Sequence, residues 1–115
     1  MTVVPFLAHK FMADLNAAPA RTGLLVYVHT ARTRGLPSWL LDTPIVVLQY
    51  GRGLAIPTLD LEVDSVGIFA TLAFQRTACA VEVPWEAVLA WGQHGRPSWL
   101  RRGVRIAASG AIEVA

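Results

Sequence analysis

Three carboxylates stand at alternate positions in the stretch Leu59-Asp60-Leu61-Glu62-Val63-Asp64. In an extended strand the side chains at i and i+2 share a face about 6–7 Å apart. That spacing suits a divalent cation, and it suits a solvated sheet face better. The other groups capable of chemistry are scattered. His9, His29 and His94 show no ligand spacing, and a metal site needs its ligands at defined intervals. Cys79, between Ala78 and Ala80, reads as a buried, inert thiol rather than a nucleophile. Gly51-Arg52-Gly53 lacks the lysine and the spacing of a phosphate-binding loop, and there is no nucleophile elbow. These residue types point away from an enzyme, with no metal or cofactor expected, and toward a binding module.

The acids sit in a stretch with a clear architecture. Leu59 to Pro84 reads as a three-strand β-meander. Leu59, Leu61 and Val63 alternate with the three acids, and Ser65-Val66-Gly67 interrupts them as a tight turn. Ile68, Ala70, Leu72 and Phe74 then point one way, with Phe69, Thr71 and Ala73 the other; this second face is not strongly polar. A second turn falls at Gln75 to Ala78. A third strand, Cys79 to Val83, sets Val81 and Val83 against Ala80 and Glu82, and Pro84 closes it because proline cannot donate to a ladder.

The remaining elements follow from periodicity and breakers. Val4, Leu7, Phe11 and Leu15 recur at helical spacing, widened by Ala8 and Met12, with Pro5 suited to the first turn and Pro19 at the end. That stripe packs on the domain's own sheet or, through Phe6 or Met12, on a second copy of the helix. Leu24 to His29 is a buried strand. Ser38 to Asp42 is a single turn tucking Trp39 or Leu40 inward. Ile45 to Leu48, apolar throughout, is expected to be central and covered on both faces. Gly51-Arg52-Gly53 opens a flexible loop that Pro57 closes. Trp85 to Trp91 is expected to form a short helix on the i, i+3, i+4 spacing of Trp85, Val88 and Leu89, stopped by Gly92. Residues 104 to 115 are either a last hairpin around Ser109-Gly110 or a frayed tail. Pro-Ser-Trp-Leu occurs twice, at 37–40 and 97–100, too briefly to mark a structural repeat.

Bulk composition bounds the function. The chain has 115 residues, 54% hydrophobic and 16% charged, with a formal charge of +2. It is one small domain with apolar surface to spare for a partner, a groove or a dimer interface. The charge is too small to argue for nucleic acid, and the one arginine cluster lies at Arg96, Arg101, Arg102 and Arg105. A single cysteine excludes an internal disulfide and fits a reducing compartment. With no transmembrane-length run and no signal-peptide pattern, a cytoplasmic protein is the expectation.

The order of features resembles the stringent starvation protein B (SspB) family, adaptors of the ClpXP protease. PFLAHKFMADL (5–15) resembles the family's opening helix. LLVYV (24–28), the loop ending in Leu36-Pro37, IVVLQ (45–49), LDLEVDSVGIFATLAF (59–74) and VEVPWEAVLAW (81–91) follow in the family's order. The last two blocks are the most distinctive; the ordered set, rather than any one motif, carries the resemblance. It implies an α+β fold: a small Sm-like or SH3-like bent β-barrel or β-sheet with an N-terminal helix. It further implies a peptide-binding domain over 1–91, a C-terminal extension over 92–115, and a homodimer through the helix residues Phe6, Leu7, Phe11, Met12 and Leu15. The family binds ssrA-type degradation tags in a groove, uses a C-terminal tail to dock on the ClpX unfoldase, and does no covalent chemistry. By that resemblance the groove is expected at Tyr50, Arg52, Leu54 and Ala55, with Phe69, Thr71 and Ala73 as its floor; Arg52 would meet a tag carboxylate. The loop from Gly51 to Thr58 is longer than in better-known members, Ala73 replaces a position often larger and polar, and Gly103 to Ala107 is apolar-basic but not terminal. Two competing readings stand beside this one: an Sm-like or SH3-like RNA- or protein-binding module without a protease role, and a small metal-dependent enzyme using Asp60, Glu62 and Asp64.

Overall fold

The computed structural model describes residues 4–114, and of Val4 and Pro5 only the backbone, so the expected place of the Val4 side chain in the helical stripe and the fit of the Pro5 ring lie outside the described residues. Helix α1 runs Val4–Ala17. Leu7 and Phe11, one turn apart, are its fully inward residues. Pro19 follows its end, and Gly23, at a φ of 60°, turns the chain into strand β1, Leu24–His29. A Cβ at Gly23 would overlap the Tyr50 carbonyl, so the turn requires glycine.

β1 is an inner strand of a four-stranded antiparallel sheet. With β2 (Ile45–Tyr50), β6 (Val88–Gln93) and β7 (Arg96–Leu100) the spatial order is β2-β1-β6-β7. The meander forms a second antiparallel sheet, β3 (Glu62–Val63), β4 (Gly67–Phe74) and β5 (Thr77–Pro84), in that order. A short hairpin of β8 (Val104–Ile106) and β9 (Ile112–Val114) completes the described chain. It resolves the two readings of residues 104 to 115 in favour of the hairpin. The architecture is α+β, and its sheets do not close into a barrel. The chain just after β1 joins them: Arg34 and Glu82 exchange backbone hydrogen bonds of 3.0 and 2.9 Å.

The main core lies between the sheets and under α1. It is built from the inward residues of β1, β2, β4 and β5, with Ile68, Ala70 and Leu72 of β4 facing Val81 and Val83 of β5 as the alternation predicts. Phe11 is its hub. Its ring stands edge-on to Tyr50, Trp85 and Trp91 at centroid distances of 6.1, 6.2 and 5.4 Å. Behind the large sheet, Val104 packs on Tyr27, Leu89 and Ala90 in a second, smaller cluster. β1 and β6 are therefore covered on both faces, which is why their sequences are apolar without alternation.

Four expectations are corrected. Trp85 to Trp91 is not a helix: Trp85–Ala87 is a single 3-10 turn, and the chain then extends into β6. A strand buried on both faces is continuously apolar and matches the helical spacing by coincidence. Gly92 is not a helix stop; it lies in β6 opposite Pro97, where a Cβ would overlap the Arg96 carbonyl. β2 is not central. It is one of the sheet's two outer strands, with Val47 49% exposed. Leu59 is 77% exposed, because β3 pairs only through Glu62 and Val63 and the chain leaves the ladder before it. The turn at residues 38–40 does tuck Leu40 against the core, while Trp39 stays 54% exposed.

Candidate functional site: a groove between two open strand edges

The first edge belongs to β2. Thr30 N–H donates to the Pro44 carbonyl at 3.0 Å, which makes His29–Ile45 a non-hydrogen-bonded pair of the β1–β2 ladder. Pairing alternates along an antiparallel ladder. The backbone groups of Val46 and Leu48 therefore bond β1, and those of Val47 and Gln49 face outward.

The second edge belongs to β4. Asp64 N–H donates to the Gly67 carbonyl at 3.1 Å, so Val63–Ile68 is the non-bonded pair and Glu62–Phe69 the bonded one. Phe69, Thr71 and Ala73 therefore direct their backbone groups away from β5. β3 satisfies Phe69 and goes no further. Beyond it, Ala73 is left with an unpaired strand edge.

The two edges border one groove of about 510 Å³. Val47, Leu48 and Gln49 line it from β2, and Thr71 to Phe74 from β4; Leu54, Ala55, Ile56 and Thr58 flank it from the loop, and Arg21 is its one charged lining residue. The loop is held at its root. Thr58 N–H donates to the Gly51 carbonyl at 2.8 Å, and Gly51 N–H donates to Thr58 Oγ1 at 3.2 Å. Gln49 Nε2 donates to the Thr22 carbonyl at 2.7 Å, which fixes the Arg21 segment beside β2.

The expected site residues divide. Leu54, Ala55, Thr71 and Ala73 come together in the groove. Arg52 lines a neighbouring cleft of about 230 Å³ between the end of α1 and the loop, with Met12, Leu15 and Leu61. Phe69 lies opposite Glu62 of β3, outside the groove lining. Tyr50 is fully buried beside Phe11 and its hydroxyl has no hydrogen-bond partner among the described residues; burial pushes that phenol above its usual range. Leu7 and Phe11 are spent in the chain's own core, whereas Phe6 is 60% exposed and Met12 and Leu15 are half-buried. Sequence reasoning missed Val47, Gln49 and Arg21. The alternation of Val46, Leu48 and Tyr50 with Val47 and Gln49 was the available signal, and the apolar Val47 concealed it.

Two of the three acids, Asp60 and Asp64, accept hydrogen bonds from the chain itself. Asp60 Oδ1 accepts the Thr71 N–H at 2.9 Å and Oδ2 the Thr71 hydroxyl at 2.6 Å. These bonds favour the carboxylate and hold its pKa below the ordinary value. Asp64 Oδ1 accepts the N–H groups of Val66 (2.8 Å) and Gly67 (3.2 Å), building the β3–β4 turn. Among the described residues no three His, Cys, Asp or Glu side chains are gathered to hold a metal. Cys79 is half-buried rather than fully enclosed.

No protein-family model matches the chain, and no curated protein matches it. The fold and the groove describe a small α+β domain with two unpaired strand edges bordering one cleft. Among the described residues no helix is long and apolar enough to cross a membrane.

Proposed function

We propose that the protein is a non-catalytic peptide-binding adaptor. It takes an extended degradation tag of ssrA type into the groove between β2 and β4 and delivers the tagged chain to the ClpXP protease. The observation that carries the peptide half is the pair of open edges. Val47 and Gln49 on one side and Ala73 on the other offer backbone groups that no strand among the described residues uses. An extended segment satisfies such groups by adding a strand, with shallow apolar side-chain pockets giving selectivity. Val47, Leu54, Ile56 and Phe74 supply apolar walls, and Arg21 supplies a cation.

The Sm-like or SH3-like character and the adaptor role rest on the ordered blocks of sequence quoted above; the cytoplasmic setting rests on the single cysteine and the lack of a signal-peptide pattern. Tethering a tag raises its effective concentration at a protease without new chemistry. A homodimer through α1 would use the exposed Phe6 and the outer parts of Met12 and Leu15, which are half-buried against the chain's own core. Docking on ClpX rests on the resemblance alone: Gly103 to Ala107 runs through β8, where Val104 is buried and Arg105 pairs with Glu113 at 2.6 Å.

The test is fluorescence anisotropy of a labelled ssrA-type peptide ending in Leu-Ala-Ala, with Ala73→Pro beside the wild type. Proline deletes the outward N–H at an exposed edge position that tolerates it. Saturable binding that weakens at least about tenfold, ~1.4 kcal/mol, in the variant is expected. Binding of the peptide unchanged by Ala73→Pro would remove the groove from the reading, and no binding by the wild type would end it.

A further inference from the structure

We infer that Asp60 is the specificity-determining stop of the groove: it fixes how far a bound strand can run along β4 and excludes an acidic ligand residue opposite Thr71. The inference rests on the peptide-binding reading above.

The β3–β4 register pairs Glu62 with Phe69. Continued by two residues, it would set Asp60 opposite Thr71, whose backbone faces the same way as that of Phe69. A regular ladder would there use the Asp60 backbone carbonyl to accept the Thr71 N–H. The Asp60 side chain does so instead, at 2.9 Å, and its second oxygen holds the Thr71 hydroxyl at 2.6 Å. One carboxylate therefore ends β3, consumes the next edge donor and orients the Thr71 side chain that lines the groove.

Two consequences follow for an added strand. The first free donor on the β4 edge is Ala73 N–H, so pairing starts there and cannot extend past Thr71 without displacing Asp60. The carboxylate, exposed at that point, also places a negative charge where the strand would pass. Arg21 is the only charged residue of the groove lining itself. A ligand with an acid is thus directed away from the Thr71 end, and one with a neutral or basic residue is admitted to it. Neither Asp60 nor its partner is needed by the core, since both are exposed.

The experiment pairs Asp60→Asn and Asp60→Ala with a charge scan. An ssrA-type peptide ending in Leu-Ala-Ala carries Lys, Gln or Glu in turn at each remaining position, and affinities are read by anisotropy. Amide exchange of Thr71 is followed by NMR without peptide. In the wild type one position should disfavour Glu against Lys by about fivefold, the scale of one exposed charge contact. Asp60→Asn should abolish that penalty at that position alone, and Asp60→Ala should speed Thr71 exchange. A penalty that persists in Asp60→Asn, or Thr71 exchange unchanged in Asp60→Ala, overturns the stop while leaving peptide binding intact. A wild type that binds none of the peptides overturns both readings.

Discussion

The indole N–H of Trp91 donates to Asp14 Oδ2 at 2.8 Å, across a separation of 77 residues. Trp91 is fully buried, stacked on Trp99 at 4.6 Å and edge-on to Phe11. Asp14 stands on the helix and also holds Lys10 at 3.1 Å. The bond satisfies a buried donor and locks α1 in rotation, so that Phe11 meets the aromatic cluster and Phe6 does not.

Removing that acceptor has a predictable cost. Asp14→Ala leaves the Trp91 N–H buried and unpaired, and a lost hydrogen bond to a charged group costs about 1.5–3 kcal/mol. The Lys10 pair, one helical turn away and partly exposed, adds little. Urea denaturation should show a loss in that range for Asp14→Ala and a smaller one for Asp14→Asn, which keeps an acceptor oxygen.

Tyr50 gives the opposite sign. Its hydroxyl is buried without a partner among the described residues, and an unsatisfied buried polar atom is costly. Tyr50→Phe should match the wild type or exceed it by up to ~1 kcal/mol, whereas Tyr50→Ala should lose about 3–5 kcal/mol by emptying the space beside Phe11. The same burial predicts an alkaline effect. Unfolded, a phenol ionises near pH 10; folded, burial raises that value. Above about pH 10 the unfolded chain therefore binds fewer protons than the native one, and stability falls as pH rises. Thermal melts from pH 9 to 11 should decline more steeply for the wild type than for Tyr50→Phe.

Arg21 provides a test of charge in the groove. It is exposed and stands beside β2. Arg21→Gln should leave the melting temperature near that of the wild type, and reduce affinity for a peptide carrying a carboxylate by up to about fivefold, the reach of an exposed ion pair. The difference should shrink as salt is raised, because screening removes it. A deficit independent of both salt and peptide charge would assign Arg21 a packing role instead.

Much of the fold was legible because local rules and tertiary needs agreed. The β4–β5 hairpin follows from alternation on both strands, but its turn is Gln75 and Arg76 alone, both at positive φ; Thr77 and Ala78, expected in the turn, already pair with Phe74 and Ala73 in β5. α1 was legible from Leu7, Phe11 and Leu15, and β1 from an apolar run too short for a helix. The errors fall where alternation was hidden. In β6 every side chain from Val88 to Trp91 is buried, so no polar position marked a period of two. In β2 an exposed valine, Val47, imitated a core residue.

The sequence by itself determined the α+β class, the meander and the apolar faces, because these depend on side-chain periodicity and on breakers such as Pro19 and Pro84. It also determined, through residue types alone, that candidate catalytic groups are dispersed. Only the tertiary structure decided which strands lie at an edge, and hence that the outward backbone of Val47 and Gln49 borders one groove with that of Ala73. It alone decided that Asp60 accepts both the backbone and the hydroxyl donors of Thr71. Edges and side-chain-to-backbone bonds depend on which segments pair across long stretches of chain, and a backbone donor left unpaired leaves no mark in the residue that carries it.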